Sequence, residues 1–368
     1  MRDCSKGIYV LQILCIMKKI SLIVFASLIM ASCLQNRSQD CIDVENFDAE
    51  LPFSRLSKLG NAPDILGELS SFHFMDETTF LVSSAASAQV ILFDIGGNQK
   101  MSIGQKGRGQ FEYLSPLLVR SFDQQIFIWC SSLLKMMVFS REGMPLNEYV
   151  FTRSIKDFVV VDNTVFFYTS GGFKDESIVS VYDLSKEQYI SQDNGEKTNE
   201  HEILNATPCS GGLLLHDGAV YFTPADRTIV YKIDTDDYFV EENVIESVAF
   251  QTKPVETPYE EFLRDVVHSL EYLFGSDMLT GIHKLGDHFL LMAETGNIEI
   301  QGMEIVDASD RRNTLFFLDR EMVLQRIVHA PPAEGTSSCL YASYAGRLYR
   351  LQLDENLFSW ALYTMDDI

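Results

Sequence analysis

Three polar side chains on one short stretch, Glu200, His201 and Asn205, are of the types that bind a divalent cation. Carboxylate, imidazole and amide groups coordinate metal ions where a fold brings three or four of them together. They belong to a polar segment, 193–205, that interrupts a chain rich in apolar segments. The segment predicts either a divalent-cation site or a solvated loop in which these side chains do no chemistry.

A glycine-rich stretch carries a second group of candidates, Arg108, Glu112 and Tyr113. The three glycines within 104–109 permit positive φ angles, so the chain can turn tightly here. A charged and aromatic group on such a turn either contacts a ligand at the surface or packs the turn itself. No helix pattern follows, so the glycines are not a dinucleotide-binding fingerprint.

The common catalytic motifs are missing. Asn205 stands where a zinc protease would carry the second histidine after His201 and Glu202, and the chain has no Gly-x-Ser-x-Gly elbow. With 52 acidic residues in the chain, no particular carboxylate pair can be selected as a glycosidase site. The sequence therefore identifies no catalytic residue, and non-enzymatic binding is favoured over catalysis.

The composition restricts the class of protein. The chain has 368 residues, of which 46% are hydrophobic and 22% charged, so it can bury a sizeable core. Its formal net charge is -23 at pH 7. Nucleic-acid binding depends on neutralising phosphates with Lys and Arg, so no nucleic-acid partner is predicted.

The N-terminus has the pattern of an export signal. Lys18 and Lys19 precede an apolar run, Ile20–Met30, and small residues follow it, which is the order of a secretory signal peptide. The run is shorter than a membrane span. Its end, Met30-Ala31-Ser32-Cys33, resembles the lipobox of bacterial lipoproteins, in which a diacylglycerol is attached to the cysteine and the peptide is cut before it.

We therefore expect a signal peptide over 1–32, lipid attachment at Cys33 and a polar tether over 33–40. Met17 is the predicted true start, because Met17-Lys18-Lys19 begins an ordinary signal peptide. The alternative is an uncleaved anchor helix that includes the apolar residues 8–16. The lipid would make the membrane a partner of the folded part.

Four cysteines remain for that folded part, and none lies in a Cys-x-x-Cys or other metal-binding spacing. An export compartment permits disulfides. Buried free thiols on strands are favoured, and a disulfide is the alternative. The four are Cys41, Cys130, Cys209 and Cys339.

Short apolar segments that end in a polar residue recur along the rest of the chain. Their last residues lie 46, 43, 51 and 85 positions apart, and a period in the forties with several short strands per unit is typical of a β-propeller blade. A hairpin precedes each segment and a further strand follows it, which gives four antiparallel strands per unit. The segments are Val90–Asp94, Lys135–Ser140, Ile178–Asp183, Ile229–Asp234 and Thr314–Asp319.

The last unit, 338–364, supplies only three strands. A segment near Ile42–Phe53 can supply the fourth, which would close the ring without an unpaired sheet edge. We therefore predict an all-β fold, a six-bladed β-propeller of four-stranded antiparallel blades that forms a single domain over 41–368. A seventh blade would have to lie in the 85-residue interval.

That interval instead predicts one helical insertion, near 251–280. Thr257-Pro258-Tyr259-Glu260 has the residue order of a capping box, with proline at the first helical position. Apolar residues then recur at three- and four-residue spacing, and Gly275 can end the helix. The helix either packs on the propeller alone or also serves as a lid or partner-binding element.

The stretch Ile103–Tyr113 resembles the interblade turn of the six-bladed β-propeller lipoproteins of Bacteroidetes, which are related to NHL-repeat propellers. Gln110 and Phe111 replace the usual Pro-Gly, so the match is partial. The resemblance implies the fold and the cell envelope, as an outer-membrane lipoprotein. Residues 34–37 lack the acidic run associated with surface export in some Bacteroidetes, which favours the periplasmic side over the cell surface.

Two functions follow as hypotheses. The favoured one is a membrane-tethered, exported module that binds a glycan, peptide or protein ligand through one face of the propeller, which the helical insertion helps to shape. The alternative is a hydrolase or lyase with its site in the central channel, for which a divalent cation is the candidate cofactor. A cluster of carboxylates or histidines in the channel would favour the enzyme, and an aromatic shelf would favour binding.

Overall fold

The computed structural model describes residues 42–46, 51–60, 68–169, 179–190, 198–204, 211–255, 262, 264, 266–296, 299–301, 304–307, 310–331, 339–354 and 359–365. One compact unit spans 44–368. The predicted signal peptide, the predicted lipid-attachment residue Cys33, the predicted tether and the predicted capping box lie outside the described residues. Within the described part, no helix is long and apolar enough to cross a membrane.

The first four blades are antiparallel sheets of four consecutive strands. Blade 1 contains β3 (Ser71–Asp76), β4 (Thr79–Ser84), β5 (Gln89–Asp94) and β6 (Gln99–Ser102). Blade 2 contains β9 (Pro116–Phe122), β10 (Gln125–Cys130), β11 (Lys135–Ser140) and β12 (Pro145–Val150). Blade 3 contains β13 (Ile155–Val161), β14 (Thr164–Thr169), β15 (Val179–Asp183) and β16 (Gln188–Ile190). Blade 4 contains β17 (Gly212–His216), β18 (Ala219–Thr223), β19 (Ile229–Asp234) and β20 (Val240–Val244).

The last two blades each take a strand from the N-terminal segment. Blade 5 contains β21 (Met278–Leu285), β22 (His288–Thr295), β25 (Arg312–Leu318) and β26 (Leu324–Ala330), with β1 (Asp43–Asn46) as a fifth, outer strand. Blade 6 contains β27 (Cys339–Tyr344), β28 (Arg347–Asp354) and β29 (Ser359–Met365), completed by β2 (Ser54–Lys58).

Four short strands and two helices lie between or beside the blades. β7 (Gln105–Lys106) and β8 (Glu112–Tyr113) form a parallel pair between blades 1 and 2. β23 (Glu299–Gln301) and β24 (Glu304–Asp307) form a separate hairpin within blade 5. The helices are α1 (Asn199–Leu204) and α2 (Val266–Gly275).

The prediction of a six-bladed propeller with four-stranded antiparallel blades is confirmed. The recurring apolar segments are the third strands of blades 1 to 5. Their middle residues are buried on both faces because each blade packs between two neighbours, whereas outer strands such as β6 and β12 are mostly exposed. The 85-residue interval holds no seventh blade among its described residues.

Six apolar clusters hold the ring together, one at each interface between consecutive blades. Phe80 packs with Trp360 between blades 1 and 6, and Trp129 packs near Phe151 between blades 2 and 3. The first strand of each blade lies beside the first strand of the next, so these six strands line the central channel. The core is therefore divided among the interfaces, and the channel is left to polar side chains.

The predicted closing segment was wrong in its bounds. Ser54 pairs with Thr364 and Lys58 with Ala361, so β2 closes blade 6, while part of the predicted segment Ile42–Phe53 forms β1 on blade 5. The apolar residues that suggested a strand make packing contacts instead. Leu51 is buried between blades 5 and 6, and the Phe53 ring lies under the Arg350 guanidinium at 4.4 Å.

The two helices pack together at the start of blades 4 and 5. Ile203 and Leu204 of α1 share an apolar cluster with Phe262 and Tyr272, which lies on α2. The helix ends at Gly275, as the sequence predicts, and β21 begins at Met278. Antiparallel geometry therefore places α2 at the opposite end of β21 from the turn that follows Leu285.

Two of the four candidate cysteines lie in the described part of the chain. Cys130 is a buried free thiol on β10, as the favoured prediction has it, and Cys339 is half-buried at the start of β27. Cys41 and Cys209 lie outside the described residues.

Candidate functional site

A cleft of 580 Å³ opens on the side of the ring where the first strand of each blade turns into the second. We call this side the hairpin face; its turns follow Asp76, Phe122, Val161, His216, Leu285 and Tyr344. The cleft is lined by the hairpins of blades 4, 5 and 6. Its volume lies in the range of small-molecule sites, which run from about 300 to 1,000 Å³.

Small residues at two turns shape one wall of the cleft. The Gly286 N–H donates a hydrogen bond to the Gly346 carbonyl at 2.8 Å, which joins the hairpin tips of blades 5 and 6. Ala345 and Gly346 have φ angles of 49° and 74°, so this tip is a tight turn with almost no side chain. His216 and Asp217, on blade 4, line the cleft from another blade.

An aromatic group forms the base of the cleft. The Phe289 ring lies 4.6 Å from the Tyr221 ring and 5.5 Å from the His216 ring, centroid to centroid. The Lys284 ammonium lies 4.3 Å from the Phe289 centroid, as in a cation–π contact. Burial lowers the pKa of Lys284 from its ordinary value.

Charges of opposite sign are balanced around the cleft. Arg320 forms an ion pair with Asp287 at 2.7 Å, and His216 Nε2 lies 3.2 Å from the Asp217 carboxylate. Burial lowers the pKa of the His216 imidazole, which favours its neutral form at pH 7. Two cations and two carboxylates then remain, so the lining carries no formal net charge although the chain as a whole is strongly acidic.

Three hydroxyl groups in the lining make no hydrogen bond to any described residue. They belong to Tyr221, Ser343 and Tyr344. The Tyr344 ring stacks on Phe74 with centroids 5.5 Å apart, which fixes its orientation. Each free hydroxyl can donate and accept a hydrogen bond, so the cleft offers fixed polar groups above an aromatic base.

The central channel holds a second polar group, which we call the channel tier. Its members lie on five different inner strands, two to four residues before the strand ends. Blade 5 stands opposite blade 2, and Arg120 on blade 2 lowers the pKa of His283 on blade 5 through its charge, second to the effect of burial. The two side chains therefore act on one another across the channel. The tier comprises His73, Arg120, Asp157, His283 and Tyr341.

Hydrogen bonds through the tier connect four blades. The Arg120 guanidinium donates to Ser71 Oγ at 2.9 Å and forms an ion pair with Asp157. Asp157 also accepts the Leu213 backbone N–H at 3.0 Å. The two charged side chains are only 18% and 14% exposed, so each depends on the other for compensation of its charge.

We expect the tier to make the stability of the protein depend on pH. Burial, with a smaller contribution from the Arg120 charge, lowers the pKa of His73 to about 3 and that of His283 to about 4. Below the ordinary value of 6.5 the unfolded chain takes up protons that the native state does not, so stability falls as pH falls from 6.5 toward 4. Each histidine contributes a slope of about 1.4 kcal/mol per pH unit.

Urea unfolding between pH 4.5 and 7.5 measures this dependence. His283→Gln should have a slope shallower by about 1.4 kcal/mol per pH unit than the wild type. Thr280→Ala, on the same strand β21 and without a titratable side chain, is the matched control and should retain the wild-type slope. Equal slopes for His283→Gln and the wild type would contradict the expected neutral state of His283.

Two of the three predicted cation ligands have protein partners. His201 Nδ1 lies 3.1 Å from Asp226 Oδ1, and both side chains are almost fully buried. Glu200 accepts the Val255 N–H at 2.7 Å. Asn205 lies outside the described residues. Through these bonds Glu200 and His201 tie α1 to Val255 and to the loop after β18. The described residues contain no group of three or more side chains that could hold a metal ion.

The predicted ligand-binding residues Arg108, Glu112 and Tyr113 lie on the connection between blades 1 and 2. Tyr113 is buried, donates to the Ile103 carbonyl at 2.6 Å and accepts the Val90 N–H at 3.2 Å. Glu112 accepts the Gly109 N–H at 2.7 Å. Arg108 is exposed. The contacts of Glu112 and Tyr113 are those of turn packing, and the cleft lies elsewhere.

Sequence reasoning missed the cleft residues and the channel tier. Asp217 gave no signal because it is an ordinary turn residue, and Lys284, Phe289 and Tyr344 gave none because they are ordinary strand residues. The available signal was positional, since the channel residues occupy similar places before the first hairpin of five blades. The described residues of the helical insertion do not line the cleft, since none of the cleft residues lies within 251–280.

These features define a closed six-bladed β-propeller with a small-molecule-sized cleft on one face and a polar channel. The chain belongs to the six-bladed β-propeller family DUF5128, whose model matches residues 64–269, more than half of the chain. This confirms the predicted propeller family; the comparisons do not extend to lipid attachment or to an NHL relationship.

Two solved structures from Bacteroides are similar to the chain in fold. One, from Bacteroides fragilis, has been assigned to the exported proteins; it shares 14% identity and a TM-score of 0.60, covering 89% of this chain and 99% of that one. The other is a member of the DUF4221 family from Bacteroides vulgatus, with 10% identity, a TM-score of 0.60 and coverage of 86% and 95%. At these identities the likeness concerns the fold alone. No protein of curated function matches the chain.

Proposed function

We propose that this propeller is an exported binding protein that holds a glycan or peptide ligand in the cleft on its hairpin face. The observation that carries the proposal is the lining of the cleft. The cleft of 580 Å³ combines hydroxyl groups that have no hydrogen-bond partner among the described residues with balanced charges and an aromatic base. Sites of this kind combine apolar surface with a few fixed polar groups that orient a ligand.

The hydrolase or lyase alternative depends on the channel tier. His283 makes no hydrogen bond to the described residues and faces the channel, so it is the group best placed to act as a base. Its pKa of about 4 is far below the range near neutrality where a general base is efficient. The Asp157 carboxylate already forms an ion pair with Arg120 and accepts a hydrogen bond from the Leu213 N–H. The tier therefore supports catalysis less well than the cleft supports binding.

Titration calorimetry tests the binding proposal. Neutral trisaccharides and tripeptides are the probes, and at least one is expected to bind in the micromolar to millimolar range. Ser343→Trp should abolish that binding, because the indole would fill the cleft. Glu77→Trp, on the hairpin of blade 1, adds the same bulk to the same face and should leave the affinity unchanged. Equal affinity for Ser343→Trp and the wild type would place the ligand elsewhere.

Export and lipid attachment are the second part of the proposal. The charged start, the apolar run and Met30-Ala31-Ser32-Cys33 support it, and an exported relative in Bacteroides fragilis is consistent with it. The lipid on Cys33 would tether the propeller to the outer membrane, with the tether 33–40 between them, and the absence of an acidic run after Cys33 favours the periplasmic side.

Replacing Cys33 by alanine is expected to move the protein from the membrane fraction to the soluble fraction, because no acyl chain can then be attached. Mass spectrometry of the wild-type N-terminus should show the diacylglycerol on Cys33. Cys41→Ala, a few residues further along, is the control and should stay with the membrane. A wild-type protein that is soluble and unmodified would overturn the anchor.

A further inference from the structure

We infer that the ligand of the cleft is an uncharged oligosaccharide, whose hydroxyl groups are bound by the side chains of Tyr221, Ser343 and Tyr344. This inference rests on the proposed binding function and narrows it to one class of ligand. It follows from three properties of the cleft: its charge balance, its unused hydroxyls and the fixed orientation of its rings.

The charge balance distinguishes the cleft from the rest of the hairpin face. The hairpins of blades 1, 2 and 3 carry Glu77, Asp123 and Asp162, and none of these has a basic partner within ion-pair distance among the described residues. In the cleft, by contrast, Arg320 pairs with Asp287 at 2.7 Å, and Lys284 lies near Asp217 and Asp287, whose charges both raise its pKa. A ligand with a net charge of either sign would find no excess of the opposite charge here.

The hydroxyls of the cleft can form hydrogen bonds with the hydroxyls of a sugar. Every hydroxyl of a sugar donates and accepts, and so do the hydroxyls of Tyr221, Ser343 and Tyr344. The Lys284 ammonium donates one proton to the Asp287 carbonyl at 2.7 Å and has two more N–H groups. Among the described residues, Asp217 forms an ion pair with His216 alone and keeps most of its acceptor capacity. The cleft therefore offers both donors and acceptors.

The rings are held rigidly before any ligand arrives. Tyr221 is buried against Phe289, which is itself 2% exposed, and Tyr344 is stacked on Phe74. Their hydroxyls consequently have fixed positions, and little conformational entropy is lost when a ligand binds. A flexible peptide would lose more conformational entropy on binding. Its charged termini would also find no excess of the opposite charge in the cleft.

Calorimetry with matched probes tests the inference. The probes are maltotriose, cellotriose and chitotriose as neutral sugars, trigalacturonate as an anionic sugar and trialanine as a peptide. At least one neutral sugar should bind at least 100-fold more tightly than trialanine or trigalacturonate. Because the ligand is uncharged, its affinity should change less than twofold between 50 and 500 mM salt.

Hydroxyl deletion locates the contacts. Tyr221→Phe, Ser343→Ala and Tyr344→Phe together should weaken the sugar about 100-fold or more, with about tenfold for each single change. The melting temperature should stay within the error of measurement, because these hydroxyls have no hydrogen-bond partner among the residues that the structure describes. Tyr363→Phe, on β29 and outside the cleft, should leave the affinity unchanged.

The outcomes separate this inference from the proposal beneath it. Binding of trialanine that Ser343→Trp abolishes, without binding of any neutral sugar, would overturn the oligosaccharide and leave the cleft as a peptide site. Sugar binding that survives the triple hydroxyl deletion would overturn the assigned contacts. Failure of every probe to bind would count against both the oligosaccharide and the binding function.

Discussion

Deleting residues 42–58 is expected to unfold the propeller or leave it aggregated, with a loss of more than about 5 kcal/mol in the free energy of unfolding. The deletion removes β2 and exposes the outer edge of β29, which can then pair with other chains. It also removes Leu51 from the interface between blades 5 and 6, and loss of a buried leucine side chain alone costs about 2–5 kcal/mol. Urea unfolding and size-exclusion chromatography measure the effect.

Smaller changes in the same segment serve as controls. Leu51→Ala should cost about 2–5 kcal/mol, whereas Leu56→Ala, on β2 but 44% exposed, should cost less than about 1 kcal/mol. Deleting β1 alone should change little, since blade 5 retains four paired strands. A wild-type unfolding curve for the protein lacking 42–58 would show that β2 is not required to close the ring.

Asp157→Ala is expected to destabilise the protein by about 3–5 kcal/mol, as breaking a buried ion pair usually does. The change leaves the Arg120 guanidinium without compensation in the channel and takes the acceptor from the Leu213 and Phe158 N–H groups. Thermal unfolding should show a midpoint lower by on the order of 10 °C.

A double variant separates the effect of an unpaired buried charge on stability from the effect of lost side-chain packing. Arg120→Met with Asp157→Leu removes both charges and should be more stable than Asp157→Ala, because no buried charge is left unpaired. Asp287→Ala breaks an exposed ion pair whose side chains are 72% and 83% accessible, and should leave the stability nearly unchanged because solvent screens the pair. Equal costs for Asp157→Ala and Asp287→Ala would mean that the channel is as well solvated as the surface.

The repeat in the sequence was sufficient to predict the blades because burial on both faces requires long apolar stretches in the middle strands. Val90–Asp94 and Lys135–Ser140 stand out for this reason. The closing strand was harder to place. β2 is polar and largely exposed, while the more apolar Leu51 and Phe53 before it serve as packing residues, so the pattern pointed about ten residues too early.

The cleft could not be predicted from spacing along the chain. It depends on the ring, which brings Asp217, Lys284 and Tyr344 together from three blades, and on a backbone bond between Gly286 and Gly346. The candidates that the sequence did suggest were conspicuous for local reasons. His201 and Tyr113 are polar residues in unusual stretches, yet both are satisfied within the protein, where they hold a helix and a turn in place.

The pairing of β2 with β29 sets the order in which the molecule can be assembled. The two strands are separated by about 300 residues, so this contact has very high sequence separation and is slow to form. A chain that emerges from its N-terminus presents β2 long before its partner exists. Until β29 arrives, β2 has no sheet to join, and blade 6 can be completed only after the last residues have been delivered. The final step of folding therefore couples the first strand of the ring to the last, and any chain cut short before residue 359 leaves the ring open.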